Sequence, residues 1–322
     1  MEDKRLGRVT IDTTVQPEAV THPTDGKLLH RGVEVLGRLA RRHGIALRRS
    51  YARLSRDARR EVAKLVHRGR RREAERVVRR MRTWLGRLAR DIDRKITDAA
   101  ADARAAVAAP LDLVARLLRQ RREDRGREKI YAPHAPEVEC IGKGKARTRY
   151  EFGAKVSLAT TNRAAPGGQF VLGARTLPGT PYDGHTLAAQ VAQAETITGV
   201  RVETGVRIER AYVDRGYRGH DAGTGRVFVA GRKRGVTPTI RRETRRRAAI
   251  EPVIGRMKDD GHLGRNFLRG TEGDAVDLIL AAAGHNLRLL RGWLLRLPAF
   301  LLCLAAAPLQ MPAGRSARPL AT

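Results

Sequence analysis

A chain of 322 residues with 41% hydrophobic content is long enough to bury one or two packed cores, which excludes a purely disordered basic tail. Its 65 Lys and Arg against 34 acids leave a formal charge of +31, far beyond what solubility needs, so the expected partner is a polyanion, with nucleic acid the first choice. Aromatic residues make up only 4%, so affinity should come from backbone phosphates rather than stacked bases and should weaken steeply with salt. Cys140 and Cys303 fit neither a disulfide framework nor a zinc spacing, and His134, His220, His262 and His285 stand at no metal-ligand spacing from them. The opening MEDKRLGRVT lacks the apolar stretch of a signal peptide. The apolar run from Leu287 to Leu304 reads as a core or interface helix, and LLCLAAAPL, bounded by Pro298 and Pro308, is shorter than the roughly 20 residues that span a bilayer. A cytoplasmic, nucleoid-associated protein without a membrane role is the expectation.

In chain order, RVTIDTTV at 8 to 15 is β-branched and predicts a strand. After HPTDG at 22 to 26, a turn signal in which Asp25 serves as a turn or cap residue, apolar positions recur every three or four residues. Leu28, Leu29, Val33, Leu36 and Leu39 form one stripe, and Val77, Met81, Leu85, Leu88, Ile92 and Ile96 form another. Between 41 and 90 there are nineteen Lys or Arg against four acids, so the opposite helix faces are almost uniformly cationic and are expected to lie on a nucleic-acid backbone. Near residue 128 the helical pattern stops. RYEFGAKVSLATT and QFVLGARTLPG predict a hairpin joined through NRAAPGG, followed by a helix over 185 to 199 ending at Gly199. RIERAYVDRGY and RVFVAGR predict two further strands, and helices begin near 241 and 274. The order predicts an α/β protein: three strands, a helix, two strands and a closing helix, with a helical block set in after the first strand. It matches the ribonuclease-H-like fold, a mixed sheet flanked by helices. The expected division is the first strand at 1–27, a basic helical insertion at 28–128, the remainder of the fold at 129–305 and a tail at 306–322.

The stretch RAAIEPVIGRMK sets Arg247, Glu251 and Lys258 at spacings of four and seven, which keeps all three near one side of a helix. Asp214 stands at the end of the strand-like run AYVD, and Asp12 stands inside VTIDTTV. Three carboxylates on two strands and a helix can build a two-metal centre for phosphoryl transfer. Each residue also has a plainer reading. Glu251 can pair with Arg247 across one helical turn, Asp214 can cap a strand end, and Pro252 should kink the helix or start a new one. Asp183, with His185 in PYDGHT, reads first as an N-cap at a loop-to-helix junction. Lys143 and Lys145 in the GKGK loop read as phosphate contacts, without the strand, Ser or Thr and helix of a nucleotide P-loop.

Several of these segments, from IDTTVQPEAVTHPTD through VECIGKGKARTRYEFGAKVSLATTN, LPGTPYDGHTL and AYVDRGYRGH to RRRAAIEPVIGRMKDDGHLGRNFLRGTEGDAVDLILAAAGHNLRLL, resemble the DDE transposases of bacterial insertion sequences, in the group called family five. The resemblance runs from Asp12 to about Leu295 and implies a metal-dependent enzyme that cuts and joins DNA. It makes Asp12, Asp214 and Glu251 the catalytic and metal-binding acids, with two Mg²⁺ or Mn²⁺ ions. Of the family's Tyr, Arg, Glu and Lys signature, Arg247, Glu251 and Lys258 fill the last three places, and Thr244 stands in the Tyr place. Arg247 and Lys258 are then phosphate contacts. The implied partners are the element's terminal inverted repeats, target DNA and a second copy in a homodimer. Relatives carry a recognition region ahead of the first acid, and here Asp12 comes a few residues after Met1, so that region is expected to be missing. A catalytically inactive DNA-binding remnant and a nuclease of the same fold are the alternatives.

Overall fold

A computed structural model of the protein describes residues 6–97, 100–121, 123–124, 129–142, 149–163, 168–199, 207–222 and 226–306, the side chains of 226 and 299–306 excepted. The predicted phosphate contacts Lys143 and Lys145 lie outside these residues, as does the side chain of Cys303. Strand β1 covers Arg8–Pro17; four helices follow, α1 Asp25–Arg42, α2 Ala52–His67, α3 Arg71–Ile96 and α4 Ala101–Arg119. Then come β2 Glu139–Gly142, β3 Tyr150–Thr161, β4 Val171–Thr176, α5 Leu187–Gly199, β5 Arg210–Val213 and β6 Arg226–Val229. Helices α6 Pro238–Arg246, α7 Ile250–Asp259 and α8 Gly270–Ala306 complete the order.

These strands form one mixed sheet in the order β2-β3-β1-β5-β6, with β4 also pairing β3. β1 runs antiparallel to β3 and parallel to β5, and β5 runs parallel to β6. β2 takes the first part of β3 and β4 the later part, a strand more than the sequence pattern had indicated. Gly153 lies in the β2-paired part of β3; a Cβ there would fall 2.0 Å from the Gln16 carbonyl oxygen. Alternation along β1 divides its side chains between two layers. Val9 and Ile11 pack with Leu187, Val191 and Ala194 of α5, while the opposite face of the sheet, through Val156 and Leu158, packs on Val253 and Met257 of α7 and Leu278, Ala281 and Ala282 of α8. Gln16 also points toward α8, donating to the Asp274 carbonyl and the Asp277 carboxylate.

The helical block between β1 and β2 has its own core. Leu28, Leu29, Val33 and Leu36 interlock with Val77, Met81, Leu85, Leu88 and Ile92, as the two stripes require, while Leu39 and Ile96 sit at the margin. Gly32 permits the close approach of α1 to α3, since a Cβ there would lie 3.0 Å from Leu85. Thr24 caps α1 by accepting from the Lys27 amide, which leaves Asp25 in the first turn, where its charge favours the helix dipole.

The helix bearing the Arg-Glu-Lys spacing is broken. α6 starts at Pro238 behind a Thr237 cap, a 3-10 turn occupies Arg247–Ala249, and α7 restarts at Ile250. Pro252 therefore falls in the first turn of α7, where a missing amide hydrogen costs nothing. What fixes α6 on the sheet is Glu243, only 2% exposed: it accepts from Arg8 of β1 at 2.8 Å, from Arg210 of β5 at 3.0 Å and from the Tyr212 hydroxyl. Burial alone raises a carboxyl, but the hydrogen bonds from Tyr212 and Arg210 and the charge of Arg8 hold Glu243 below its usual range. Its carbonyl also accepts from Asn162, just past β3, which bonds Thr10 as well.

Candidate active site

Parallel pairing sets the first two acids side by side. β1 and β5 register Arg8 with Arg210, Val9 with Ala211 and Thr10 with Tyr212. Continued by two residues, the same offset brings Asp12 opposite Asp214, just where β5 ends and its ladder stops. The Asp214 carboxylate accepts from the Gly216 amide at 2.8 Å and caps the 3-10 turn Arg215–Tyr217. Asp12 accepts from the Thr13 amide at 2.8 Å and stands 3.7 Å from the Arg247 guanidinium. Arg247 is thus turned toward the first acid.

A third carboxylate arrives from the α5 side. Asp183, at the head of the 3-10 turn before α5, accepts from the Thr13 hydroxyl at 2.9 Å and pairs with Lys155 of β3 at 2.7 Å. A Cβ on Gly216 would meet Asp214 at 3.0 Å and Asp183 at 3.2 Å, so the absent side chain keeps open a niche between the two acids. Close to them the Tyr217 side chain is fully buried, with the Ser157 hydroxyl beside its own. Burial, then the charges of Asp183, Asp12 and Asp214, push its ionisation well above the ordinary phenol range. Burial first, then the Asp214 charge, lifts Asp12 from 3.8 to about 6, with Arg247 pulling the other way.

Glu251 opens α7, exposed and one turn beyond Arg247, on the helix that packs beside β1. Lys258 is half-buried in the last turn of the same helix. Thr244, in the Tyr place, bonds back to the Ile240 carbonyl at 2.8 Å. Crowded carboxylates with too little counter-charge suit a hard divalent cation with oxygen ligands. Among the described residues no three His, Cys, Asp or Glu are grouped so as to ligate one ion. Asp183, Lys155 and Tyr217 belong to this neighbourhood although the sequence pattern did not single out Lys155 or Tyr217 and gave Asp183 first to an N-cap; the PYDGHT junction was the available signal.

A second concentration of charge lies on the helical block. Arg48, Arg49, Arg87, Arg90 and Arg94 line a cleft of about 210 Å³ in which Asp91 is the carboxylate. Asp91 is buried and accepts from the Arg48 amide at 2.9 Å; that bond above all, with Lys95 at 3.2 Å, holds its carboxyl below the usual range. Tyr51, in the left-handed region at φ 53°, stacks on Trp84 at 6.2 Å, and the Arg49 guanidinium covers its ring at 5.5 Å. A left-handed conformation costs a non-glycine residue about 1 kcal/mol or more, so the surroundings hold Tyr51 there.

Residues 228–291 match the family model described as the transposase DDE domain. The match takes in Glu243, Arg247, Glu251 and Lys258 and leaves Asp12, Asp183 and Asp214 outside it. A stretch of 53 residues is 53% identical to an uncharacterized protein, ORF8 in the nfe locus of Rhizobium meliloti; it covers 16% of this chain and about a quarter, 26%, of that protein. No solved structure matches. The family match supports a transposase of the DDE type. No helix among the described residues is long and apolar enough to cross a membrane.

The Asp12 shift has a measurable consequence. Because the folded pKa lies above the ordinary 3.8, the folded state holds its proton more tightly, and stability falls as pH rises from about 4 to about 6. Asp12→Asn removes that penalty, so it should stabilise the fold by about 1–3 kcal/mol at pH 8 and leave it unchanged near pH 4, as read by urea unfolding at both values. An equal effect at the two pH values would show that Asp12 is not strained by its neighbours.

Proposed function

We propose that the protein is a DDE transposase with a ribonuclease-H-like catalytic sheet, carrying a basic helical insertion between its first and second strands. The nearness of Asp12 in β1 to Asp214, one residue past the end of the parallel neighbour β5, is the observation that carries the reading, supported by the family match over the helix that bears Glu251. The strand order, with β1 antiparallel on one side and parallel on the other, agrees with that fold.

On this reading Asp12, Asp214 and Glu251 would hold Mg²⁺ or Mn²⁺, two ions in all. The metal supplies activation of the attacking oxygen and stabilises charge on the phosphate. Asp12 would be the central ligand, because its strand β1 pairs with β5 and packs on α7. Its raised pKa marks a carboxylate that gains most from a cation. Arg247 neutralises Asp12 in the free protein and, when the site fills, turns its planar donor fork to a phosphate. Lys258 holds a phosphate two turns along. Lys155 orients Asp183, which keeps Thr13, the residue after Asp12 in β1, in place. Hydrolysis joins a water oxygen to phosphorus and releases a 3′-hydroxyl; the same site then directs that hydroxyl at target DNA, expelling a second 3′ oxygen.

The helical block holds the duplex by its backbone, with the Arg48–Arg94 cleft as its strongest phosphate contact. Replacing Arg87 and Arg90 together by Ala should lower affinity for duplex DNA about tenfold at low salt and flatten the salt dependence by about two phosphates. An unchanged slope would place the DNA elsewhere.

The direct test is cleavage of a labelled duplex carrying the element's terminal repeat, with Mg²⁺ or Mn²⁺, by this chain and by Glu251→Gln. Metal-dependent nicking that falls at least a hundredfold in the variant is the expected result. Cutting without joining would make it a nuclease, and binding without cutting would leave a DNA-binding protein.

A further inference from the structure

Where the helical block meets the segment leading into β2, a cavity of about 230 Å³ opens between α1, α2 and residues 131–134. Leu28, Tyr131 and Ala132 contribute apolar walls, and Lys27, Arg31 and Arg59 line it with Glu34 as the lining carboxylate. Glu34 is already engaged, since Arg31 pairs with it at 3.2 Å. The Lys27 ammonium donates to the His22 carbonyl at 2.9 Å, a neutral acceptor that leaves its charge in place. The Arg59 Nε–H is buried and has no acceptor among the described residues. A buried donor without an acceptor is costly, and the guanidinium fork is the geometry that grips phosphate oxygens. Low-dielectric walls strengthen the field of these cations inside the cavity.

Two histidines border the same space, and both register its excess of positive charge. His30 is buried; its Nδ1 lies 2.9 Å from the Ser55 hydroxyl, and that hydroxyl already donates to the Ala52 carbonyl at 3.1 Å. Nδ1 therefore carries the hydrogen. Nε2 is left 3.3 Å from Glu34, a contact that attracts only when a second proton sits there. Burial above all, joined by Arg59, Arg56 and Arg31, resists that proton and outweighs Glu34, so His30 titrates below its ordinary range. His134, at the rim, is lowered by burial and by Arg31 and Arg269, against Glu137. An anion in the cavity shifts both balances the other way.

We propose that this cavity is a phosphate-binding site, with Arg59, Arg31 and Lys27 as its charged donors. His30 and His134 take up their second protons as the anion enters. The site shares no residue with the acid site or with the Arg48–Arg94 cleft, and it stands whether or not the chain cuts DNA. Because its walls come from α1, α2 and the approach to β2, one bound phosphate fastens the helical block to the sheet's leading segment.

Sulfate, which has the shape of phosphate and stays a dianion across this pH range, is the probe. Calorimetry of the full chain with sulfate, against chloride at equal ionic strength, should show binding about tenfold tighter at about pH 5.5 than at about pH 8, with net proton uptake. Proton NMR of the imidazoles locates those protons: His30 and His134 should titrate at higher pH in sulfate than in chloride. Arg59→Gln should abolish both responses. Arg60→Gln, an exposed neighbour on α2 that does not line the cavity, should leave them intact, and circular dichroism should show both variants folded. Displacement of the sulfate by a duplex oligonucleotide assigns the site to a backbone phosphate, and displacement by a nucleoside monophosphate but not by duplex assigns it to a free phosphate ester. Identical imidazole titrations in sulfate and chloride would overturn the inference, as would a response that survives in Arg59→Gln or sulfate that neither phosphate displaces.

Discussion

One buried carboxylate holds the functional half of this protein together. Glu243 is withdrawn from water, and it is tolerable there because Arg8, Arg210 and the Tyr212 hydroxyl converge on it from two neighbouring strands. Burying a charge costs several kcal/mol unless partners offset it, and removing one partner of such a set leaves the others uncompensated. Glu243 therefore ties α6 to β1 and β5 at one place. Everything C-terminal to it on the same helical run inherits that placement: Arg247 one turn on, at Asp12, and Glu251 two turns on, at the head of α7.

The two charged regions are unbalanced in opposite senses. Around β1 and β5, Asp12, Asp214 and Asp183 share Arg247 and Lys155, and the shortfall appears as the raised Asp12 pKa. On the helical block a cleft lined by five arginines holds one carboxylate, Asp91, which Arg48, Arg94 and Lys95 already pair. On the proposed reading a cation would relieve the first and a phosphate backbone the second.

Much of this was legible in the sequence because it depended on local period. The stripes of α1 and α3, the first strand and the β3–β4 hairpin each bury one face, and a period of 3.6 or 2 records that directly. β2 escaped because four residues, Glu139–Gly142, on the margin of the sheet bury no face consistently. Asp12 and Asp214 were visible as acids in strand-like runs, yet their adjacency depends on register, which no single segment contains. Asp183 showed only its local role, since Thr13 and Lys155 meet it from far along the chain. Glu243 lay unremarked among arginines because its value comes from three strand residues more than 30 positions away. Pro252 correctly marked a break, although the helix interrupts itself before Glu251 rather than at the proline.

On the proposed reading the acid site depends on α6 being held by Glu243, a residue that would touch no metal. Mn²⁺ binding measured by calorimetry on the intact protein and on Glu243→Gln, at a temperature where both are folded, tests it most directly. The expected affinity is at least tenfold weaker in the variant, because the helical run leading to Arg247 and Glu251 loses its anchor on the sheet. Equal affinity in the two proteins would contradict it.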